Sequence, residues 1–116
     1  MKLYHHPNCS TCKKAIAWLN DRGVAYEAID IRQTPPTKAE LRRALEQGLT
    51  VRQLFNASGQ QYRDRQLKDR LPGMSDDEAV ALLASEGMLV KRPFAIEGGK
   101  VTAGFKAERY EEIWSG

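Results

Sequence analysis

Lys2-Leu3-Tyr4-His5-His6-Pro7-Asn8-Cys9-Ser10-Thr11-Cys12-Lys13-Lys14-Ala15-Ile16-Ala17-Trp18-Leu19 is the stretch that decides how the chain is read. A short apolar strand runs into a Pro-containing turn, the turn carries two cysteines two residues apart, and a helix pattern starts at once behind them. This order predicts Cys9 in front of a helix N-terminus, where unpaired backbone N–H groups and the helix dipole favour negative charge. A thiolate is such a charge. Cys12 is one turn along, within reach of a disulfide with Cys9, and Lys13 and Lys14 add positive charge. The spacing points to a redox site.

Two plainer readings compete. Both cysteines could be packing residues, because Cys is often buried. Alternatively, His5, His6, Cys9 and Cys12 could form a two-His, two-Cys zinc set. Adjacent histidines on a strand end point to opposite faces, however, and a structural zinc site wants its second ligand pair further along the chain. No metal is therefore expected.

The whole chain is consistent with one domain, 1–116. Its 116 residues are 41% hydrophobic and 28% charged, with a net charge of +3, which is ordinary for a globular chain and too mild to demand a polyanion partner. Arg63, Arg65, Lys68 and Arg70 are interrupted by Asp64 and Asp69, so the run reads as a solvated helix face with local ion pairs, not a direct nucleic-acid contact. No apolar run approaches the ~20 residues of a membrane span, and no export signal precedes Lys2. A cytoplasmic protein with reduced thiols is expected, with no membrane partner.

Outward from the cysteines, the first helix should run over residues 10–22 and stop at Gly23, with Ala15, Ile16 and Leu19 on its buried face. A strand over 24–31 follows, and a strand–helix–strand unit of this size implies parallel neighbours. Thr37-Lys38-Ala39-Glu40, Thr50-Val51-Arg52-Gln53 and Ser75-Asp76-Asp77-Glu78 each read as a capping box. Leu41, Ala44 and Leu45 in the first of these helices, and Ala79, Leu82 and Leu83 in the last, fall at core spacing. Residues 60–71 read as one helix stopped by Pro72-Gly73, and Gly87 as the stop of the helix begun at Ser75. Phe94-Ala95-Ile96, Gly98-Gly99 and Lys100-Val101-Thr102-Ala103 read as an antiparallel hairpin. A last helix over 107–114 should bury Tyr110 and Ile113. The sum is an α/β, thioredoxin/glutaredoxin-like mixed sheet with flanking helices and a helical insertion, about 37–87, between the second strand and the C-terminal hairpin.

Tyr4-His5-His6-Pro7-Asn8-Cys9, Val51-Arg52, Lys91-Arg92-Pro93 and Gly104-Phe105, in that order, resemble the glutaredoxin-dependent arsenate reductase/Spx family over nearly the whole chain. The resemblance implies a thioredoxin fold and a thiol-dependent oxidoreductase with Cys9 as nucleophile. His5 would lie beside that thiol and favour its thiolate. Arg52 and Arg92 would hold an oxyanion, helped by Ser10 and Thr11 at the helix start, and Pro93 would be a cis proline against the site. Planar guanidinium forks and free helix N–H groups suit an oxyanion. Two departures stand out. Cys12 occupies a position that is usually a hydroxyl residue in the reductases, and Phe105-Lys106 stands where a third arginine is expected. Cys12 would resolve the intermediate, with no bound cofactor and with glutathione or glutaredoxin as electron donor to a small thiol or oxyanion substrate. The alternative implied by Cys12 and Gly104-Phe105 is an Spx-like redox-sensing regulator that binds the RNA polymerase alpha subunit. A phosphatase loop of the Cys-x5-Arg type is excluded, because the sixth residue after Cys9 is Ala15.

Overall fold

The computed structural model describes residues 1–115. Four strands, β1 (Lys2–His5), β2 (Glu27–Asp30), β3 (Phe94–Glu97) and β4 (Lys100–Ala103), form one mixed sheet in the order β2-β1-β3-β4. The β1–β2 pair is parallel, and β1–β3 and β3–β4 are antiparallel. The link between β1 and β2 is α1 (Ser10–Asp21). Between β2 and β3 lie α2 (Lys38–Glu46), α3 (Val51–Leu54), α4 (Gln60–Asp64), α5 (Leu67–Arg70) and α6 (Asp76–Ser85), with 3-10 turns at Leu71–Gly73 and Gly87–Leu89. The chain closes with α7 (Ala107–Trp114). This is the expected α/β architecture with its helical insertion.

Strand alternation sorts the core into two layers. Leu3, Ala95 and Thr102 share one rung of the sheet and face α1 and α7, where Ala15, Leu19, Tyr110 and Trp114 are buried. The Trp114 indole N–H donates to Thr102 Oγ1 at 3.1 Å and ties α7 to β4. Tyr4, Phe94 and Ile96 face the other way, onto Leu41, Leu54, Leu83 and Leu89 of the insertion. Glu40 joins the two sides of that layer. It closes the Thr37 capping box and also accepts the Tyr4 hydroxyl at 2.6 Å.

The three capping boxes form as read, since each hydroxyl accepts the N3 N–H while the N3 side chain returns to the cap. Two elements differ from expectation. Strand β2 covers only Glu27–Asp30, because β1 offers it four partners; residues before it instead pack on α1, with Val24 N–H donating to Leu19 O. The helix over 60–71 is broken at Gln66, which adopts φ +54°. Tyr62 and Leu67 are both buried, yet five residues of continuous α-helix would turn them about 140° apart, so the break swings Leu67 inward. The local ion pairs expected on this stretch do not form; Arg65 pairs with Glu86 at the end of α6. Helix α6 stops with Gly87 just past its Glu86 cap, as expected, and Gly87 is also buried against the carbonyl of Ile31.

Candidate functional site

Register brings the chemistry together. Tyr4 pairs with Phe94, and Phe94 with Ala103. The C-terminal end of β1, the N-terminal end of β3 and the C-terminal end of β4 therefore meet at one edge of the sheet. The loop carrying Cys9, the Arg92–Pro93 segment and the start of α7 follow or precede those ends and enclose a cavity of about 720 Å³. The insertion supplies the remaining wall. Asn56 N–H donates to Leu89 O and Lys91 N–H to Leu54 O, both at 2.8 Å, which stitches the end of α3 to the approach to β3.

Cys9 is the N-cap of α1, with extended backbone (φ −92°, ψ 115°), and its Sγ accepts the Cys12 N–H at 3.1 Å. The turn ahead of it is closed by Cys9 N–H to His6 O at 3.1 Å and by Asn8 N–H to His6 Nδ1 at 3.0 Å. Sulfur thus stands where a serine or aspartate oxygen usually caps a helix. Cys9 is half-buried, lines the cavity, and is a free thiol. Cys12 is also a free thiol but wholly buried. Burial, and then its hydrogen bond to Cys9, push the Cys12 thiol up to about 12; a backbone hydrogen bond from His6 and the nearby Arg92 charge pull the other way.

Of the residues singled out in the sequence, Cys9, Ser10, Thr11 and Arg92 line the cavity together. Arg92 is half-buried, and its Nη1 donates to Met88 Sδ at 3.3 Å. The Arg92–Pro93 bond is cis, and Pro93 is buried behind the wall. His5 and Arg52 lie outside the lining. His5 pairs in register with Asp30 at the end of β1. Asp30 in turn is chelated by Arg32, whose guanidinium holds the carboxyl down to about 2, with His5 adding to the effect. Arg52 is exposed on α3, and the neighbouring Gln53 faces the cavity.

Sequence reasoning gave no site role to His6, Lys91 or Arg109, and placed Lys106 only as the residue standing where a third arginine is expected. His6 shapes the cysteine turn, and its imidazole pKa is lowered by partial desolvation and then by the charges of Arg92 and Arg32. Lys91 reaches across Gly104, where an added Cβ would stand 2.8 Å from Lys91 Cε. Lys106 and Arg109 come from the start of α7. The only readable signal for Arg109 is its place in the first turn of a helix that begins at Ala107. No cluster of three or more His, Cys, Asp or Glu side chains is placed to hold a metal among the described residues, and no helix there is long and apolar enough to cross a membrane.

Known proteins share this fold. The ArsC family model matches residues 4–113. The uncharacterized protein YusI of Bacillus subtilis (strain 168) is 46% identical over 116 residues, covering 99% of this chain and 98% of its own. An arsenate reductase of Neisseria meningitidis serogroup B is 28% identical over 115 residues, 97% of each chain. Among solved structures, a possible arsenate reductase from Streptococcus mutans UA159 has a TM-score of 0.89 at 46% identity, covering 96% of this chain and 94% of its own. An arsenate reductase from Vibrio cholerae has a TM-score of 0.76 at 29% identity, covering 97% and 95%. With a cysteine-capped helix at the head of the fold these proteins share, the chain belongs to the ArsC family, a family of arsenate-reductase-like, thiol-dependent reductases.

Proposed function

We propose that the protein is a thiol-dependent reductase in which Cys9 attacks a small disulfide or oxyanion substrate and Cys12 resolves the product. One observation carries the reading: Cys9 Sγ, open to the cavity, accepts a backbone N–H at the start of α1, with Cys12 buried one turn behind it. Helix N-termini stabilise thiolates, and the thiolate is the reactive form.

With a mixed disulfide of glutathione, the Cys9 thiolate attacks one sulfur, a Cys9–S–S bond forms, and the other sulfur leaves as a thiolate that takes up a proton. Cys12 then loses its proton and attacks Cys9 Sγ, which releases the second thiolate and leaves a Cys9–Cys12 disulfide. Two glutathiones, or a glutaredoxin dithiol, return the pair to thiols and are themselves oxidised. The surroundings of Cys12 support this order of events. Burial holds the Cys12 thiol protonated at rest, and so do the hydrogen bond to Cys9 and the Cys9 charge. Once Cys9 is a disulfide its charge is gone and that hydrogen bond is weakened, while the His6 N–H and Arg92 still favour a Cys12 thiolate. Formation of the intermediate therefore weakens two of the influences that keep Cys12 protonated, while burial, the largest, persists.

The test follows turnover of a glutathione mixed disulfide and of arsenate, with thiols counted by mass-tag alkylation. Cys9→Ser should abolish turnover, and Cys12→Ser should slow it and leave a glutathionylated Cys9. Full activity in Cys9→Ser refutes the mechanism. A reversible Cys9–Cys12 disulfide without turnover of either substrate refutes the enzyme and leaves a redox switch, to be examined by pull-down with the RNA polymerase alpha subunit.

A further inference from the structure

One residue gathers the two cysteines. His6 O accepts the Cys9 N–H at 3.1 Å and closes a β-turn with Pro7 in its second position. The His6 backbone N–H donates to the Cys12 thiol. The imidazole makes a third tie, with Nδ1 accepting the Asn8 N–H at 3.0 Å. A side chain that takes the N–H two residues on, from the first position of such a turn, is ordinarily Asp, Asn or Ser. Here the acceptor is a ring nitrogen, and a histidine, unlike those side chains, changes its charge near neutral pH. Nδ1 accepts only while it carries no proton, so the closed turn requires the neutral ring protonated on Nε2. A second proton would make Nδ1 a donor facing the Asn8 donor, and the tie would be lost.

The groups that act on the ring come from several segments. Arg92 stands ahead of β3, Arg32 and Asp30 at the end of β2, and His5 beside it on β1. The Cys9 and Cys12 thiols stand at the head of α1, tied to the His6 backbone. Asp30 is the carboxylate of this group and is engaged by Arg32, so partial desolvation, and then the two guanidiniums, oppose an imidazolium. Resting on the reductase reading above, we infer that His6 is a positioning residue whose neutral imidazole latches the turn carrying Cys9, and that protonation of His6 releases this latch and slows the capture of Cys9 by Cys12. The role differs from that expected of His5, because it acts on the backbone of the turn and not on the charge of the thiol. The pair is set to close at neutral pH and above, and to lag in acid.

The aryl disulfide dithiobis(nitrobenzoate) tests this on the reduced, full-length protein. The Cys9 thiolate attacks it, a Cys9–S–S–aryl bond forms, and one coloured thionitrobenzoate leaves. Cys12 then gives its proton to solvent, attacks Cys9 Sγ and expels a second thionitrobenzoate. The second release is independent of reagent concentration and reads closure alone. His6→Asn keeps a side-chain acceptor for the Asn8 N–H but does not titrate, and His6→Ala has no acceptor. In His6→Asn the closure rate should rise about tenfold per pH unit through the neutral range, as for a thiol held protonated by burial. The wild type should match His6→Asn at about pH 8 and fall about fivefold behind it in acid, the worth of one ordinary hydrogen bond. The divergence should begin below the usual histidine pKa of about 6.5. His6→Ala should be about fivefold slow at every pH. Acid loss of fold would act on all three proteins, so the ratio at each pH is the quantity read. In parallel, nitrogen NMR of the ring should show the Nε2–H tautomer at neutral pH, and the Asn8 amide shift should follow the His6 titration. A constant ratio of wild type to His6→Asn across the range overturns the latch and leaves the reductase standing. So does a wild type that gains on His6→Asn in acid, or an Nδ1–H tautomer. No second release from any of the three proteins overturns the resolving step and the latch together.

Discussion

Gly87→Ala should unfold this protein far more than a single methyl group usually does. An ideal Cβ at Gly87 would stand 1.8 Å from the Ile31 carbonyl oxygen and 2.8 Å from its carbonyl carbon. Both atoms are backbone, so no rotamer change relieves the contact. Either the 3-10 turn Gly87–Leu89 or the end of β2 must move, and Ile31 and Leu89 are both fully buried. Overpacking a well-filled core costs about 1–3 kcal/mol, and more when backbone must shift; about 3 kcal/mol is expected here. With an unfolding entropy of about 2.1 cal/mol/K per residue, that loss lowers Tm by about 12 °C for a chain of this length. In urea, with m of about 1–3 kcal/mol/M, the midpoint should fall by at least about 1 M. Gly73→Ala is the control, because nothing lies within 4 Å of its added Cβ and its φ is not positive; it should be neutral or up to about 1 kcal/mol stabilising. The same turn carries Met88, whose sulfur receives Arg92, so Gly87→Ala should also perturb Arg92. Equal midpoints for Gly87→Ala and the wild type would refute the close-approach reasoning.

Gln66→Gly, at the left-handed break between α4 and α5, should stabilise by up to about 1 kcal/mol, because glycine relieves a non-glycine residue of that backbone region; a loss of stability in urea melts would count against strain there. Tyr4→Phe should cost about 2 kcal/mol by removing a buried hydrogen bond to a charged group, and an unchanged melt would contradict it. Burial works against ionisation of Glu40, but hydrogen bonds from Tyr4 and the Thr37 N–H, with Lys2 alongside, hold its carboxyl below the usual range. Its contribution is therefore complete above the unfolded glutamate pKa of about 4.3 and is lost as pH falls through the lower folded value. Glu40→Gln should flatten the acid side of the stability profile, and a profile as steep as the wild type's would show that other carboxylates govern it. Iodoacetamide at about pH 8 should place one tag on the native protein, at Cys9, and two in denaturant, since the Cys12 thiol is buried and pushed up to about 12. Two tags on native protein would refute that placement.

What the sequence made legible was local. Capping boxes, the Gly98-Gly99 turn and the strand–cysteine–helix start are each set by neighbours within a few residues, and they appear where read. The break at Gln66 was not legible, because it answers to where Tyr62 and Leu67 must both point once the insertion has packed. The cavity wall was legible only in part for the same reason. Lys91, Lys106 and Arg109 sit on segments that only sheet register brings to Cys9. Arg52 and Gln53 are adjacent in sequence, and the packing of one helical turn decides which faces the cavity. Gly87 looked like a helix stop, and its reason is a carbonyl 56 positions earlier in the chain.

Glu40 has a consequence for how such chains can be recombined. One carboxylate receives Thr37 N–H from its own helix and Tyr4 Oη and Lys2 Nζ from the first strand. The inserted block is thus keyed to the sheet at its entrance. Transplanted alone into a relative that lacks the tyrosine and lysine, it would carry a mostly buried charge without those partners, a loss of several kcal/mol. Strand and insertion should therefore travel as one heritable unit, and chimaeras that split them should fold poorly even when both halves come from stable parents.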